Sequence, residues 1–447
     1  MKSLYNIAIW FYALAVRIVA FFNRKVRLMW RGEREAYAKI ESGLADGDRV
    51  VWVHAASLGE FEQGRPLIEK LKRENPEYKI LLTFFSPSGY EVRKNYAGAD
   101  VIAYLPLDTP RNARRFVELV KPEKAVFVKY EFWLNYLGEL RRRGVDTYII
   151  SAIFRPNQVF FKWYGGIFRK GLKAFKTLFV QNEESKELLK GIGVENVMVA
   201  GDTRFDRVVD IAAAAKRLEV VEEFVNAQSL DNAQCTMHNS QFGMFQLPVL
   251  VVGSSWGPDE DLLVRYINER AGKMKMIIAP HEVREERIKE LTEKLTCKYA
   301  LYTQITDNRL QITDKSQLSL KTPNPSFLTD YDVLVVNTIG VLSSVYQYGQ
   351  VAYIGGGFGV GIHNTLEAAA WGMPVVFGPN YHKFQEAKEL IECGAGCSIA
   401  NYEECARALD EFFENNKDAS TASKEYVVKN IGATTLIYNS ILVTNYK

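Results

Sequence analysis

Short apolar runs alternate with amphipathic stretches along this chain, and the alternation occurs twice. The first set of strand candidates is 49–53, 79–84, 101–105, 125–128, 147–151 and 178–180, with amphipathic segments such as 112–120 and 134–142 between them. The second set is 249–252, 276–278, 333–336, 351–354 and 375–377. Strands alternating with helices imply parallel, doubly wound sheets. Such sheets bind ligands beyond the carboxyl ends of their strands. At 447 residues the chain is too long for one ordinary core, so the two sets read as two α/β domains. The expected division is 1–31, an N-terminal helix and its basic flank; 32–206, the first domain; 207–246, a linker or insertion; 247–422, the second domain; and 423–447, a C-terminal helix.

The stretch 351–387 carries the densest local signal. A buried strand runs into Gly355-Gly356-Gly357-Phe358-Gly359-Val360-Gly361, and His363-Asn364-Thr365-Leu366-Glu367 then opens a helix expected to reach Trp371. A strand, a glycine loop and a helix N-terminus form an anion site, because free amides and the helix dipole point at the loop. The spacing matches neither G-x-G-x-x-G with its acidic partner nor a P-loop. Two readings stand side by side: a tight turn with Asn364 and Glu367 as a capping pair, and a nucleotide site in which Glu367 accepts from a ribose diol. His363, Asn364 and Glu367 together favour the second. Two more loops, Gly253-Ser254-Ser255-Trp256 and Ala279-Pro280-His281-Glu282, follow strands of the same set and join the glycine loop on one rim. The competing reading of His281 is a helix-start residue beside Pro280.

In the first set, His54-Ala55-Ala56-Ser57-Leu58-Gly59-Glu60 follows the first strand. Ser57 and Glu60 fit S-x-x-E, so Glu60 reads either as a capping-box residue or as a catalytic carboxylate. Pro66 is awkward inside a helix that begins at Leu58. The helix either kinks there or begins near Gly64, which leaves Glu60 in a loop.

Residues 4–22 are apolar apart from Asn6 and Arg17, and as a helix they span roughly 28 Å, close to the hydrocarbon core of a bilayer. Arg24, Lys25, Arg27 and Arg31 follow, which places the C-terminal side in the cytoplasm. Three readings are open: a spanning helix, a helix lying in the interface and a core helix of a soluble protein. Residues 154–176 interleave aromatics with Arg155, Lys162, Arg169, Lys170, Lys173 and Lys176, a pattern suited to an anionic lipid surface or to an ordinary solvated helix. Residues 226–246 are polar and weakly periodic, and 307–329 read as a surface excursion.

The net charge of +3 does not mark a general binder of nucleic acid polymers. Five scattered cysteines (Cys235, Cys297, Cys393, Cys397 and Cys405) fit reduced thiols and complete no zinc pattern, and no metal ligand set is expected.

Taken together, HAASLGE (54–60), SPSG (86–89), YLPLDTP (104–110), EFW (131–133), GDTRFD (201–206), GGGFGVGIHNTLEAA (355–369) and GPNYHKFQE (378–386) resemble, in that order, the Kdo (3-deoxy-D-manno-octulosonic acid) transferases of lipopolysaccharide assembly. The resemblance covers most of the chain. It implies a GT-B-like architecture, two Rossmann-like domains facing a cleft, with an N-terminal membrane-associated helix. It implies transfer of Kdo from CMP-Kdo to a lipid A precursor at the cytoplasmic face of the bacterial inner membrane. Glu60 falls at the family's catalytic base and Glu131 at a second acidic position near the acceptor. Ser254, Ser255, His281, Gly355, Gly356, Gly357, His363, Asn364 and Glu367 fall to the CMP site. Arg155, Lys162, Arg169 and Lys170 fall to the acceptor and membrane surface. Neither cofactor nor metal is implied. The chain departs from the family pattern at Pro280, at 337–341, at Lys383 and at Ser254-Ser255-Trp256. The rival readings are another GT-B enzyme, either a transferase with a different nucleotide sugar or a sugar-nucleotide epimerase, and a silent membrane-tethered binding protein.

Overall fold

A computed structural model describes residues 2–226, 247–312, 328 and 330–442. The inserted stretch 227–246 and most of the excursion 307–329 lie outside the described residues. The chain forms two compact units, one of Met1–Arg207 with Asn430–Lys447 and one of Val208–Lys429.

The first unit holds seven strands: β1 (Arg49–His54), β2 (Tyr78–Phe84), β3 (Val101–Tyr104), β4 (Lys124–Val128), β5 (Asp146–Ala152), β6 (Thr177–Val180) and β7 (Val197–Val199). Their order across the sheet is β3-β2-β1-β4-β5-β6-β7, and every pair is parallel. The second unit holds β8 (Val249–Ser255), β9 (Lys275–Pro280), β10 (Tyr299–Leu301), β11 (Val333–Val335), β12 (Val351–Ile354), β13 (Val375–Phe377) and β14 (Gly396–Ser398). Their order is β10-β11-β9-β8-β12-β13-β14, again all parallel. Helices cover both faces, so central strands are buried on both sides and read as continuous apolar runs. Within β1 only Arg49 is exposed, while β4 and β12 are buried throughout. The three-residue strands β7, β10 and β14 escape the sequence reading because they are partly exposed, unlike the equally short but fully buried β11 and β13.

In each sheet the strand order reverses at one point. It lies between β1 and β4 in the first unit and between β8 and β12 in the second. There the connections leave to opposite sides and open a crevice at the carboxyl edge.

The N-terminal helix Lys2–Phe22 is not a core helix. Its inward side is narrow, with Val16 and Ala20 buried, while Leu4, Ile7, Trp10, Phe11, Ile18, Phe21 and Phe22 are exposed. The segment Ser3–Phe22 is long and apolar enough to cross a membrane, and only 11% of its most apolar window is buried. Asn23 ends this helix and caps the next, Arg24–Gly43, by accepting from the amides of Lys25 and Val26. Two polar side chains fasten the first helix to the body. Tyr5 donates its hydroxyl to Asp108 Oδ2 at 2.6 Å, and Asn135 donates to Asn6 Oδ1 at 2.9 Å. Asp108 is fully buried and also accepts from the amides of Asn135 and Tyr136, both at 3.0 Å. Those amides open the helix Leu134–Arg142, whose N-cap residue Trp133 makes no side-chain capping bond. Asp108 thus supplies from another loop the acceptor that Trp133 lacks.

Asp108→Ala removes the acceptor of three donors at once, so it is expected to lower unfolding free energy by about 2–4 kcal/mol. Denaturant titration of the full chain would measure this, and a loss below about 0.5 kcal/mol would contradict the assignment.

Candidate active site

The reversal point of the first sheet gathers the first set of chemically useful groups. β1 leads into His54 and the 54–60 loop, and β4 leads into Lys129-Tyr130-Glu131. Lys129 has φ 68°, a left-handed conformation uncommon outside glycine, which turns the chain at the end of β4. Glu131 Oε2 lies 3.3 Å from His54 Nε2 and accepts from the Trp133 indole N–H at 2.5 Å.

Glu60 occupies the first turn of a helix that runs from Leu58 to Glu74 with Pro66 inside it. The alternative start near Gly64 is therefore corrected. Pro66 removes one amide, and the chain absorbs the loss within an otherwise continuous helix. Glu60 Oε2 accepts the Ser57 N–H at 3.1 Å, so the capping contact does form. Even so, burial pushes the Glu60 carboxyl above its ordinary value of 4.5, and the Glu131 charge pushes it further, against the opposing effects of the Ala56 and Ser57 amides. A carboxylate with a raised proton affinity in a polar crevice is suited to accept a proton.

Behind Glu60, Asp202 braces the same helix, a role the sequence reading did not assign. Gln63 Nε2 donates to both Asp202 oxygens at 3.2 Å, and Arg204 Nε donates to Oδ2 at 2.9 Å. Burial raises the Asp202 pKa, but Arg204 beside it and these hydrogen bonds outweigh that and hold it below the ordinary carboxylate value. Thr203 donates to the Gln63 carbonyl at 2.5 Å. The signal for this brace lay in GDTRFD, read as a motif without a mechanism.

In the second unit, β8 and β12 flank the reversal point, and their loops pack backbone to backbone. Ser254 has φ 54°. A Cβ on Gly355 would stand 2.3 Å from the Ser254 carbonyl oxygen, and one on Gly357 would stand 2.5 Å from the Gly378 amide nitrogen. These contacts explain the glycines at both positions. Buried Asp259 ties the loops together. It accepts from the amides of Trp256 and Gly356, each at 2.9 Å, and from the Tyr353 hydroxyl at 2.9 Å.

Several expectations for this loop are corrected. The helix expected from 363 to 371 is one turn, Leu366–Ala369, so it contributes little dipole. The Gly356 N–H is held by Asp259, and the Gly355 N–H is held by the Gly253 carbonyl at 2.9 Å. Neither amide is free for an anion. The Gly357 N–H, by contrast, has no acceptor among the described residues. Ser255 is buried and donates to Glu260 at 3.0 Å, and Glu260 is paired with Arg287, so the Ser255 side chain is turned inward. Asn364 accepts from the Leu366 amide at 3.1 Å and donates to Glu367 at 3.0 Å.

Three rings meet on this rim. His281 stacks on Trp256 with centroids 4.6 Å apart and on His363 with centroids 4.5 Å apart. The Trp256 indole N–H donates to His363 Nε2 at 3.1 Å. An indole only donates, so His363 Nε2 is unprotonated and the ring is neutral with its proton on Nδ1. Burial, aided by His281, lowers the His363 pKa in agreement with that state. Trp256 thereby sets the tautomer of its neighbour. Among the described residues no group of three or more His, Cys, Asp or Glu side chains is placed to hold a metal ion.

The basic and aromatic segment splits in two. Phe154 and Phe160 are buried and pack with Phe132, whereas Trp163 is 91% exposed. Lys170 is exposed, Lys162 is half-buried, and Arg155 meets the Tyr130 hydroxyl at 3.1 Å. Arg169 departs from the surface role, since its guanidinium holds the carbonyls of Phe160 and Lys162 at 2.9 and 2.8 Å.

Two measurements test this geometry. In a carbon-detected titration, the Glu60 carboxyl is expected to titrate above 4.5 and to move down in Glu131→Gln, because that change removes a neighbouring negative charge. The unfolded chain then ionises first, so Glu60 withdraws stability as pH rises from 4.5 through the folded midpoint. An unchanged midpoint in Glu131→Gln would refute the coupling. Separately, Asp259→Ala strands three donors and is expected to cost about 2–4 kcal/mol by denaturant titration, while Asp261→Ala on the exposed side of the same helix changes stability by less than about 0.5 kcal/mol.

Over most of its length the chain is similar to known proteins. The family model described as 3-deoxy-D-manno-octulosonic-acid transferase (kdotransferase) matches residues 29–207. The 3-deoxy-D-manno-octulosonic acid transferase of Aquifex aeolicus is 27% identical over 85% of this chain and 90% of its own length. The enzymes of the same name from Chlamydophila psittaci and Bordetella pertussis are 24% and 26% identical over 78% and 82% of this chain, and 74% and 83% of their own lengths. Among solved structures, the UDP-GlcNAc 2-epimerase of Neisseria meningitidis superposes with a TM-score of 0.57 at 14% identity, covering 88% of this chain and all of that one. The putative UDP-N-acetylglucosamine 2-epimerase of Listeria monocytogenes superposes with a TM-score of 0.55 at 12% identity over 90% of this chain and 97% of that one. At such identities these structures establish the fold alone, which is GT-B-like. Similarity of this kind, to 3-deoxy-D-manno-octulosonic acid transferases, runs over most of the length of the chain.

Proposed function

We propose that this protein is an inverting glycosyltransferase that moves Kdo from CMP-Kdo to a lipid A precursor. The observation that carries the mechanism is Glu60, a half-buried carboxylate whose proton affinity is raised by burial and by Glu131. Glu60 takes the proton from the acceptor's sugar hydroxyl as that oxygen attacks the anomeric carbon of Kdo. Leaving the Ser57 amide costs one ordinary hydrogen bond of about 1 kcal/mol. Glu131, held by Trp133 and His54, orients the acceptor. Positive charge developing on the sugar ring is offset by Kdo's own carboxylate.

The second unit takes the donor. The Gly357 amide and the outward edge of His281 meet the CMP phosphate and stabilise the charge it gains on leaving. Ser254, His363 and Asn364 shape the pocket, and Glu367 accepts from the ribose hydroxyls. Gly355, Gly356 and Ser255 serve the loop's geometry rather than the ligand. The exposed apolar side of the helix Lys2–Phe22, together with Arg155, Lys162 and Lys170, meets the lipids of the inner membrane at its cytoplasmic face, where the lipid acceptor is presented.

The test is transfer of labelled Kdo from freshly generated CMP-Kdo to a tetraacylated lipid A precursor. Wild type is expected to transfer, Glu60→Ala to lose about 10²–10⁴-fold, and CMP but not UDP to inhibit. Equal transfer by Glu60→Ala would return Glu60 to its capping role. Absence of CMP binding would sink the donor assignment.

A further inference from the structure

We propose that His54 is a positioning residue that holds the Glu131 carboxylate through a buried chain of hydrogen bonds beginning at Trp52. The inference rests on the reading of Glu131 as a site carboxylate.

The chain follows from sheet register. Trp52 and His54 are two residues apart on β1 and so share a face. In the parallel pairing of β1 with β2, His54 lies beside Thr83. All three side chains are fully buried. The Trp52 indole N–H donates to Thr83 Oγ1 at 2.8 Å, and Thr83 Oγ1 lies 2.9 Å from His54 Nδ1. On the far side of the ring, Nε2 lies 3.3 Å from Glu131 Oε2.

Counting protons fixes the direction of every bond. The indole only donates, so Thr83 Oγ1 accepts from it. The hydroxyl then has one proton to give, and among the described residues His54 Nδ1 is the only acceptor it meets. Were Nδ1 protonated instead, the Thr83 proton would be buried without a partner. His54 Nδ1 is therefore the acceptor and Nε2 carries the proton, which points at Glu131. Oε2 also accepts the Trp133 N–H at 2.5 Å. His54 thus donates to Glu131 as a neutral ring in one tautomer and one orientation, while Phe127 and Trp133 meet its edges and faces at 5.9 and 5.8 Å. Glu131 stands on a loop, and this chain ties it to the rigid sheet.

The experiment uses the full-length protein with nitrogen-labelled histidine and the transfer assay. The His54 resonances, identified by their loss in His54→Gln, are expected to show Nε2–H, and Thr83→Val is expected to release that preference. His54→Gln keeps a donor near the Nε2 position and retains most transfer. His54→Phe keeps the ring volume but no donor and loses about a hundredfold in kcat with the donor KM unchanged. Thr83→Ser behaves as wild type. An Nδ1–H ring in the wild type overturns the proposal without recourse to any variant. So does wild-type turnover by His54→Phe when Glu131→Gln is impaired. Wild-type turnover by Glu131→Gln overturns the reading of Glu131 itself, so the two failures are distinguishable.

Discussion

A parallel sheet cannot turn back on itself through a short hairpin. Each strand must hand the chain to a crossover that returns it to the starting edge. Every loop that follows a strand therefore emerges on one edge, and where strand order reverses two such loops are left side by side with a crevice between them. Both units obey this constraint. It brings the β1 and β4 loops together in the first and the β8 and β12 loops together in the second. Glu60, His54 and Glu131 owe their proximity to it, as do Trp256, the glycine loop and Asp259.

The constraint places loops but does not hold them still. Buried carboxylates do that. Asp259 fastens the glycine loop to the helix after β8, Asp202 braces the helix that carries Glu60, and Asp108 joins the N-terminal helix to the helix after Trp133. Each accepts from backbone or side-chain donors that would otherwise be buried unpaired, at a cost of about 1–3 kcal/mol apiece. Left-handed residues add a second device. Lys129, Ser151 and Ser254 all stand at carboxyl ends of strands, where the chain must change direction sharply.

Much of this was legible beforehand. The helix Leu134–Arg142 was bounded correctly from its pattern, and the central strands were found within three residues at either end, because burial on both faces makes them continuous apolar runs. Gly355 and Gly357 were named within the glycine loop, and the structure supplies the backbone neighbours that require glycine there. The edge strands β7, β10 and β14 were not legible, because they are short and only partly buried and so make no continuous apolar run. The extent of the helix after the glycine loop was misjudged, because capping residues signal where a helix starts and not how far it goes.

The amino-acid sequence by itself determined two parallel α/β units, the apolar N-terminal helix, the resemblance to a family, and which carboxylates and histidines stand beside the strands. These are local properties, carried by periodicity, by turn residues and by motifs a few residues long. The tertiary structure alone decided which groups are committed elsewhere. Gly356 meets Asp259 across 97 residues of chain, Gln63 meets Asp202 across 139, and Tyr5 meets Asp108 across 103. No local pattern encodes a hydrogen bond between positions so far apart. It depends on which strands become neighbours, and on the requirement that each polar group buried by their packing find a partner.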